Sequence, residues 1–215
     1  MIEEKHLFDT VGNTILQLTE NFSDVQNGCT VNSQLMFDYI KTNYPNFDLI
    51  WSTTKEISSI DEINTLSKDN LLVISYTFNN HFDKLSQLKY PHNIEILCYE
   101  EGCIDNCPLR PWHNMITSRI NMCGEEYEEG FVCPRRLNDP TSYYYTTSAN
   151  RFYYIDIDTI REKYLPLGFN QFKISGRSEI KASIINAIEN YVNYFVKPEY
   201  KDEIRNKLLI NVLAP

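Results

Sequence analysis

Short runs of apolar, β-branched residues alternate along the chain with segments in which apolar side chains recur every three or four positions. The first pattern is typical of buried strands, and the second of helices that pack one face against a sheet. Strands are predicted over residues 29–32, 48–52, 70–76, 93–98 and 171–174. Helices are predicted over residues 33–44, 60–66, 82–88, 158–164 and 179–195. This alternation predicts an α/β protein with mainly parallel strands, of which about five are recognisable.

The composition is that of a globular protein with one substantial core. The chain has 215 residues, of which 42% are hydrophobic and 23% charged, and no Gly/Ser-rich or Pro-rich linker divides it, so a single domain over residues 1–215 is expected. Residues 120–150 are the least regular part, and we interpret them as a long loop or a small insertion.

Charge and hydropathy exclude some classes of partner. The formal net charge of −9 argues against a general nucleic-acid-binding surface, because phosphate contacts depend on Lys and Arg. No apolar run approaches the roughly 18 residues that cross a bilayer, and the acidic N-terminus lacks the pattern of a signal peptide. Six cysteines are too few for a scaffold built on disulfides, so a reducing, cytoplasmic location is expected.

Four of the six cysteines fall within one 31-residue stretch, with the spacing C-x3-C-x15-C-x9-C. They are Cys103, Cys107, Cys123 and Cys133. Four thiolates that converge on one centre suit either Zn²⁺ or an iron–sulfur cluster, and Pro108 and Pro134 stiffen the chain directly after two of them. The spacing alone favours Zn²⁺, because a separation of three residues lies within the usual range for zinc fingers. Cys29 and Cys98 lie in or beside predicted strands and are expected to be small buried side chains.

Three segments carry a resemblance to a known family. Residues 95–103 (EILCYEEGC) share the Glu and the Cys of an E-x-F-x-H-G-x-x-C strand end, and residues 173–177 (KISGR) are similar to a terminal K-I-E-G-R. The predicted strand at residues 48–52 runs into Ser52-Thr53, like a family strand that ends in a Ser-Thr pair. Over about residues 26–196 the chain therefore resembles the collagenase-like peptidase family, which includes the proteins of oxygen-independent ubiquinone and RNA hydroxylation.

The resemblance implies a β/α (TIM-like) barrel and a [4Fe–4S] cluster held by four cysteines. Cys103 matches the first family cysteine, Cys107 matches the second less closely in spacing, and Cys123 and Cys133 follow by order. The resemblance favours iron–sulfur over zinc, which remains the alternative. Tyr99-Glu100 replaces the family's His-Gly, and Ser175 replaces the Glu of the terminal motif.

Four further residues are candidates for catalysis. His113 follows the cysteine loop and is a candidate acid/base. Arg110 and Arg177 are candidates to hold a small anionic substrate through two parallel hydrogen bonds. Glu95 is a candidate carboxylate of the barrel interior. No motif for a peptidase nucleophile or a zinc-peptidase helix is present in the sequence, so a peptidase activity is not expected.

Two hypotheses on function follow. The first is an iron–sulfur enzyme of oxygen-independent hydroxylation or modification. The second is a non-catalytic assembly or partner-binding protein on the same scaffold, with a structural zinc site.

The barrel predicted by the resemblance is incomplete, because the first predicted strand corresponds to about the fourth of eight. An open edge near Cys29 and Val31 is expected to pair with another chain. The N-terminal segment has apolar residues at helical spacing that could cover part of this edge: Leu7, Phe8, Val11, Ile15 and Leu16. Self-association, or a partner chain that completes the sheet, is therefore predicted.

Overall fold

The computed structural model describes residues 3–20, 26–101, 115, 152–174, 188–191, 194 and 196–213. The chain forms two compact units. The first consists of Met1–Ile96 and Leu167–Gln171, and the second of Leu97–Pro166 and Phe172–Pro215.

The first unit is built on parallel strands that follow one another in the order of the chain. Their bounds are β1 Gly28–Val31, β2 Asp48–Trp51, β3 Leu71–Val73 and β4 Ile94–Glu101. β1 pairs with β2, β2 with β3 and β3 with β4, each in parallel. Each connection contains a helix, as parallel neighbours require.

The helices of the first unit are α1 Thr10–Glu20, α2 Gln34–Asn43, α3 Ile60–Leu66 and α4 Phe82–Leu85. Short 3₁₀ turns occupy Glu4–Phe8, Thr53–Lys55, Tyr76–Phe78 and Pro91–Asn93. Local sequence fixes the start of α3, where the Ser59 hydroxyl accepts a hydrogen bond from the Glu62 backbone N–H at 3.4 Å. Two acidic residues in the first turn of α3 favour the same start through the helix dipole.

The strand register divides the side chains of this sheet between two faces, one of which is buried beneath α2. Trp51 and Leu72 are register partners, as are Leu72 and Ile94, and all three are 1% exposed or less. Phe37 of α2 stacks on Trp51 with ring centroids 4.2 Å apart, so this face is the one that α2 covers. The opposite face carries Thr30, which is exposed, and Ile50, which is half-buried.

The second unit contains the remainder of β4, where the pairing changes direction. Tyr99 to Glu101 pair antiparallel with β5, Phe152–Tyr154, and β6, Gln171–Ile174, also pairs with β4. Ile155 and Tyr191 are buried, and the Tyr191 hydroxyl donates to the carbonyl oxygens of Cys98 at 3.1 Å and Ile155 at 2.9 Å. These hydrogen bonds join three chain segments in the core of the unit.

Among the described residues of the second unit, the longest helix is the last. α5 is Ile157–Thr159, which continues as a π-helical turn at Ile160–Tyr164 and a 3₁₀ turn at Leu165–Leu167. Residues 188–191 and 194 are helical, and α6 spans Pro198–Leu213. No helix in the described ranges is long and apolar enough to cross a membrane.

The predicted α/β class with mainly parallel strands is confirmed, and each of the five predicted strands is present. β5 was not predicted, and it is the antiparallel member. The predicted loop at 120–150 and most of the predicted helix at 179–195 lie outside the described residues. Closure into a barrel remains a prediction.

The start of α5 gives a pH-dependent prediction. The Asp156 carboxylate accepts hydrogen bonds from the Thr159 backbone N–H at 2.8 Å and from its hydroxyl at 2.7 Å, and these bonds lower the pKa of Asp156. We expect Asp156→Ala to reduce the free energy of unfolding at neutral pH by about 1 kcal/mol, the usual value of a helix cap. The stabilisation is complete above the ordinary pKa of about 3.9 and is lost as the pH falls through the lower, folded-state pKa.

Urea unfolding of both proteins between neutral pH and pH 3 measures this difference. The control is Asp158→Ala, because Asp158 is exposed and its carboxylate lies 3.4 Å from the Arg161 guanidinium without a capping bond. The control should unfold like the unaltered protein. An Asp156 effect that is unchanged at low pH would contradict the assignment to the ionised carboxylate.

Candidate functional site

The carboxyl end of β4 leads directly into the cysteine cluster. β4 is the longest of the described strands, and it ends at Glu101, two residues before Cys103. All four clustered cysteines, together with Arg110, His113 and Arg177, lie outside the described residues. The structure therefore describes the strand that leads to the cysteines and, of the predicted site residues, Glu95.

Glu95 lies on the face of the parallel sheet opposite α2, beside its buried register partner Val73. Its neighbours in the strand, Ile94 and Ile96, are fully buried and point to the opposite face, while Glu95 itself is half-buried. Its register partner is Val73, and its carbonyl oxygen accepts a hydrogen bond from the Ile74 N–H at 3.1 Å. The backbone is thus fixed in the ladder, and the carboxylate occupies a position from which it can accept hydrogen bonds or bind a cation.

The residues that replace the His-Gly pair of the family motif are part of a strand ladder. Tyr99 pairs with Tyr154, and Glu100 pairs with Tyr153. Tyr99 is 7% exposed, so its side chain contributes to the core of the second unit. At the position where the family motif has a histidine, this chain therefore has a buried phenol in a strand ladder.

Hydroxyl and amide groups gather where β1 and β2 end. The Asn32 side-chain amide donates to the Thr54 hydroxyl at 2.7 Å, and that hydroxyl lies 2.9 Å from the Ser52 hydroxyl. The Ser52 hydroxyl also accepts from the Thr54 N–H at 3.2 Å, which starts the turn after β2. Asn32 and Thr54 are exposed, and Ser52 is half-buried.

The end of β3 extends this polar edge. The Ser75 hydroxyl accepts from the Thr77 hydroxyl at 3.0 Å, and the Thr53 hydroxyl donates to the Ile74 carbonyl oxygen at 3.2 Å. Because the three strands are parallel, their carboxyl ends meet at one edge, which is where α/β proteins bind ligands. We call these residues the strand-end cluster: Asn32, Ser52, Thr53, Thr54, Ser75 and Thr77.

The strand-end cluster is neutral, and a lysine flanks it. Lys55 ends the turn after β2, and its ammonium lies 4.8 Å from the centroid of the Trp51 ring. Hydroxyl and amide groups both donate and accept hydrogen bonds, so such an edge can bind polar, uncharged parts of a ligand. The sequence indicated Ser52 and Thr53 as the end of a strand. It did not indicate that Asn32, Ser75 and Thr77 lie in the same cluster. The available signal was a Ser or Asn within two residues of the end of each of the first three strands.

The two cysteines outside the cluster are structural. Cys98 is 1% exposed, and its Sγ lies 3.3 Å from the Lys173 carbonyl oxygen, to which it donates. Cys29 is half-buried in β1, and burial raises the pKa of its thiol. Neither forms a disulfide. The raised pKa makes Cys29 a poorer nucleophile and metal ligand, and the Cys98 thiol is buried against a backbone carbonyl, so both side chains are placed for packing.

Within the described ranges, no group of three or more His, Cys, Asp or Glu side chains is arranged to hold a metal ion. No protein-family model, curated protein or solved structure matches the chain. The family resemblance therefore rests on the motifs at residues 50–54, 95–103 and 173–177.

Proposed function

We propose that this protein is an iron–sulfur protein of the oxygen-independent hydroxylation type. One observation carries the proposal: β4, which begins parallel to β3 and ends antiparallel to β5, stops two residues before the first of four clustered cysteines. The carboxyl ends of parallel strands are where β/α proteins hold cofactors and catalytic groups. The positions of Cys29 within β1 and of Cys98 in the core agree with a ligand set that is drawn from the other four cysteines.

The donor set fits the cluster. Four cysteine thiolates are the usual ligands of a [4Fe–4S] cluster, which supplies one-electron transfer when bound. The residues that would hold it are Cys103, Cys107, Cys123 and Cys133. A closed four-cysteine zinc site uses the same ligands and would serve structure alone.

The scaffold that we propose is part of a β/α barrel. In a doubly wound sheet the strand order reverses, whereas β1 to β4 follow one another without reversal. Right-handed crossovers then place the connecting helices on one face, as in a barrel. The stacking of Phe37 on Trp51 agrees with this, and the opposite face, with Glu95, would be the interior.

The proposed roles of the other residues follow from their chemistry. His113 would transfer a proton, and Arg110 and Arg177 would bind the anionic group of a small substrate. Glu95 would accept hydrogen bonds from a ligand on the interior face. We also propose that the protein associates with another chain, because β1 stands at the end of the strand order and Gly28 and Thr30 are exposed.

Metal analysis of anaerobically purified protein tests the proposal. We expect iron and acid-labile sulfide in equal amounts, with broad absorbance near ~400 nm from sulfur-to-iron charge transfer. Parallel purification in air is the control, and exposure to oxygen should reduce both the absorbance and the sulfide content. A colourless protein that contains one equivalent of zinc and no sulfide would contradict the proposal and indicate the non-catalytic alternative.

A further inference from the structure

An exposed apolar strip runs along the N-terminal segment of the first unit. It consists of Phe8, Val11, Ile15 and Leu18, which are 76%, 67%, 57% and 66% exposed. An amphipathic helix of a globular protein normally turns such side chains toward the core. Five apolar residues of this segment were predicted to cover part of the sheet edge. Of these, Leu7 is buried and Leu16 is half-buried, and the other three are exposed.

Polar contacts fix the orientation of α1 that exposes the strip. The hydroxyls of Tyr39 and Tyr44 donate to the Asn13 side-chain oxygen at 2.6 and 2.7 Å, and the Asn13 amide donates to the Leu7 carbonyl oxygen at 2.7 Å. At the other end of the helix, the Glu20 carboxylate accepts from the Asn46 N–H at 2.9 Å. Asn13 and Glu20 therefore hold one side of α1 against α2 and the segment after it. The strip points away from that side.

The spacing of the strip is that of a helix-pairing seam. Three of its residues, Val11, Ile15 and Leu18, lie on α1 and are separated by four and three positions, the alternation of the a and d positions of a heptad, while Phe8 ends the 3₁₀ turn that precedes the helix. Two helices that carry this repeat bury the strip against each other as a narrow line of interlocking side chains. Apolar patches on monomers rarely exceed several hundred Å², and larger ones mark interaction sites. Each side chain of the strip is more than half exposed.

The charge pattern indicates what covers the strip. No charged residue lies between Thr10 and Thr19, although the chain carries a net charge of −9. A partner recognised by charge would find nothing to pair with on this face, whereas two copies of the chain can meet here without like-charge repulsion. A two-fold interface places the same patch on both copies, and a neutral apolar strip is complementary to itself.

We propose that α1 pairs with α1 of a second copy of this chain, with the strip buried between the two helices. The interface is small by the standard of permanent dimers, so the association is reversible and depends on micromolar protein concentration. The pairing uses neither the cysteine cluster nor the edge of β1, and it does not rest on the proposed metal centre.

Sedimentation velocity over a range of micromolar concentrations tests the pairing. The unaltered protein should shift from monomer to dimer as its concentration rises, and the double variant Ile15→Gln, Leu18→Gln should remain a monomer throughout. Leu165→Gln is the matched control, since Leu165 is an exposed leucine (39%) of the second unit. The control should dimerise like the unaltered protein. Val11→Gln serves as a second strip variant if circular dichroism shows that the double variant is unfolded.

Hydrogen exchange at low and high concentration locates the contact. Concentration-dependent protection of residues 10–20 supports pairing through α1. Protection of β1 alone, with the strip variants still dimeric, would overturn it in favour of pairing at the sheet edge. A monomer at every concentration would overturn both forms of association.

Discussion

Replacing Cys103 or Cys107 by serine should abolish the iron–sulfur chromophore of the anaerobically purified protein. A serine hydroxyl is a much weaker ligand for iron than a thiolate, and a cluster that loses one of four protein ligands is held poorly. We expect the iron content of each variant to fall to a small fraction of that of the unaltered protein. Iron and sulfide analysis, together with the absorbance near ~400 nm, measures the change.

The two structural cysteines provide the matched controls. Cys29→Ser changes a half-buried thiol of β1, and Cys98→Ala removes a buried one whose partner is the Lys173 carbonyl oxygen. Both variants should keep the cluster, although Cys98→Ala should be less stable, because it leaves a small cavity. Loss of the chromophore in the controls with its retention in the Cys103 and Cys107 variants would mean that the ligands have been assigned wrongly.

Trp51→Ala should lower the free energy of unfolding by about 3–5 kcal/mol, the range found for removing a large aromatic side chain from a core. Trp51 is 1% exposed, and it stacks on Phe37 at 4.2 Å with the ring planes 3° apart. The Lys55 ammonium lies over the Trp51 ring, 4.8 Å from its centroid. Alanine would lose the stacking, the cation–π interaction and most of the buried area, and it would leave a cavity between β2 and α2. Urea unfolding measures the difference.

Trp51→Phe is the control for this prediction. Among the described residues the buried Trp51 Nε1–H has no hydrogen-bond partner, so phenylalanine removes no hydrogen bond there and keeps an aromatic ring against Phe37. We expect it to cost about 1–2 kcal/mol. Equal costs for the two variants would mean that the stacked ring does not account for the stability at this position.

The parallel strands could be predicted because each contains a short run of apolar or β-branched residues close to turn residues. β5 could not, because three residues are too few to show alternation, and its partner is about fifty positions away in the chain. α6 was missed for a different reason. Its first half is strongly charged and its second half apolar, so no single face carries the hydrophobic period.

The candidate site shows the same division between local and long-range information. The Ser-Thr pair after β2 is visible in the sequence, but its hydrogen bonds to Asn32 and Ile74 depend on which strands are neighbours. The orientation of α1 was equally hidden. Its apolar spacing predicts a helix with one apolar face, whereas the contacts of Asn13 with Tyr39 and Tyr44 decide that much of this face is exposed.

Native mass spectrometry of the anaerobically purified protein tests the central claim most directly. If four cysteines hold one [4Fe–4S] cluster, the chain should carry an added mass of about 350 Da. Cys103→Ser should lose that mass, and Cys29→Ser should retain it. An added mass of about 65 Da, which corresponds to one zinc ion, or no added mass at all would contradict the account.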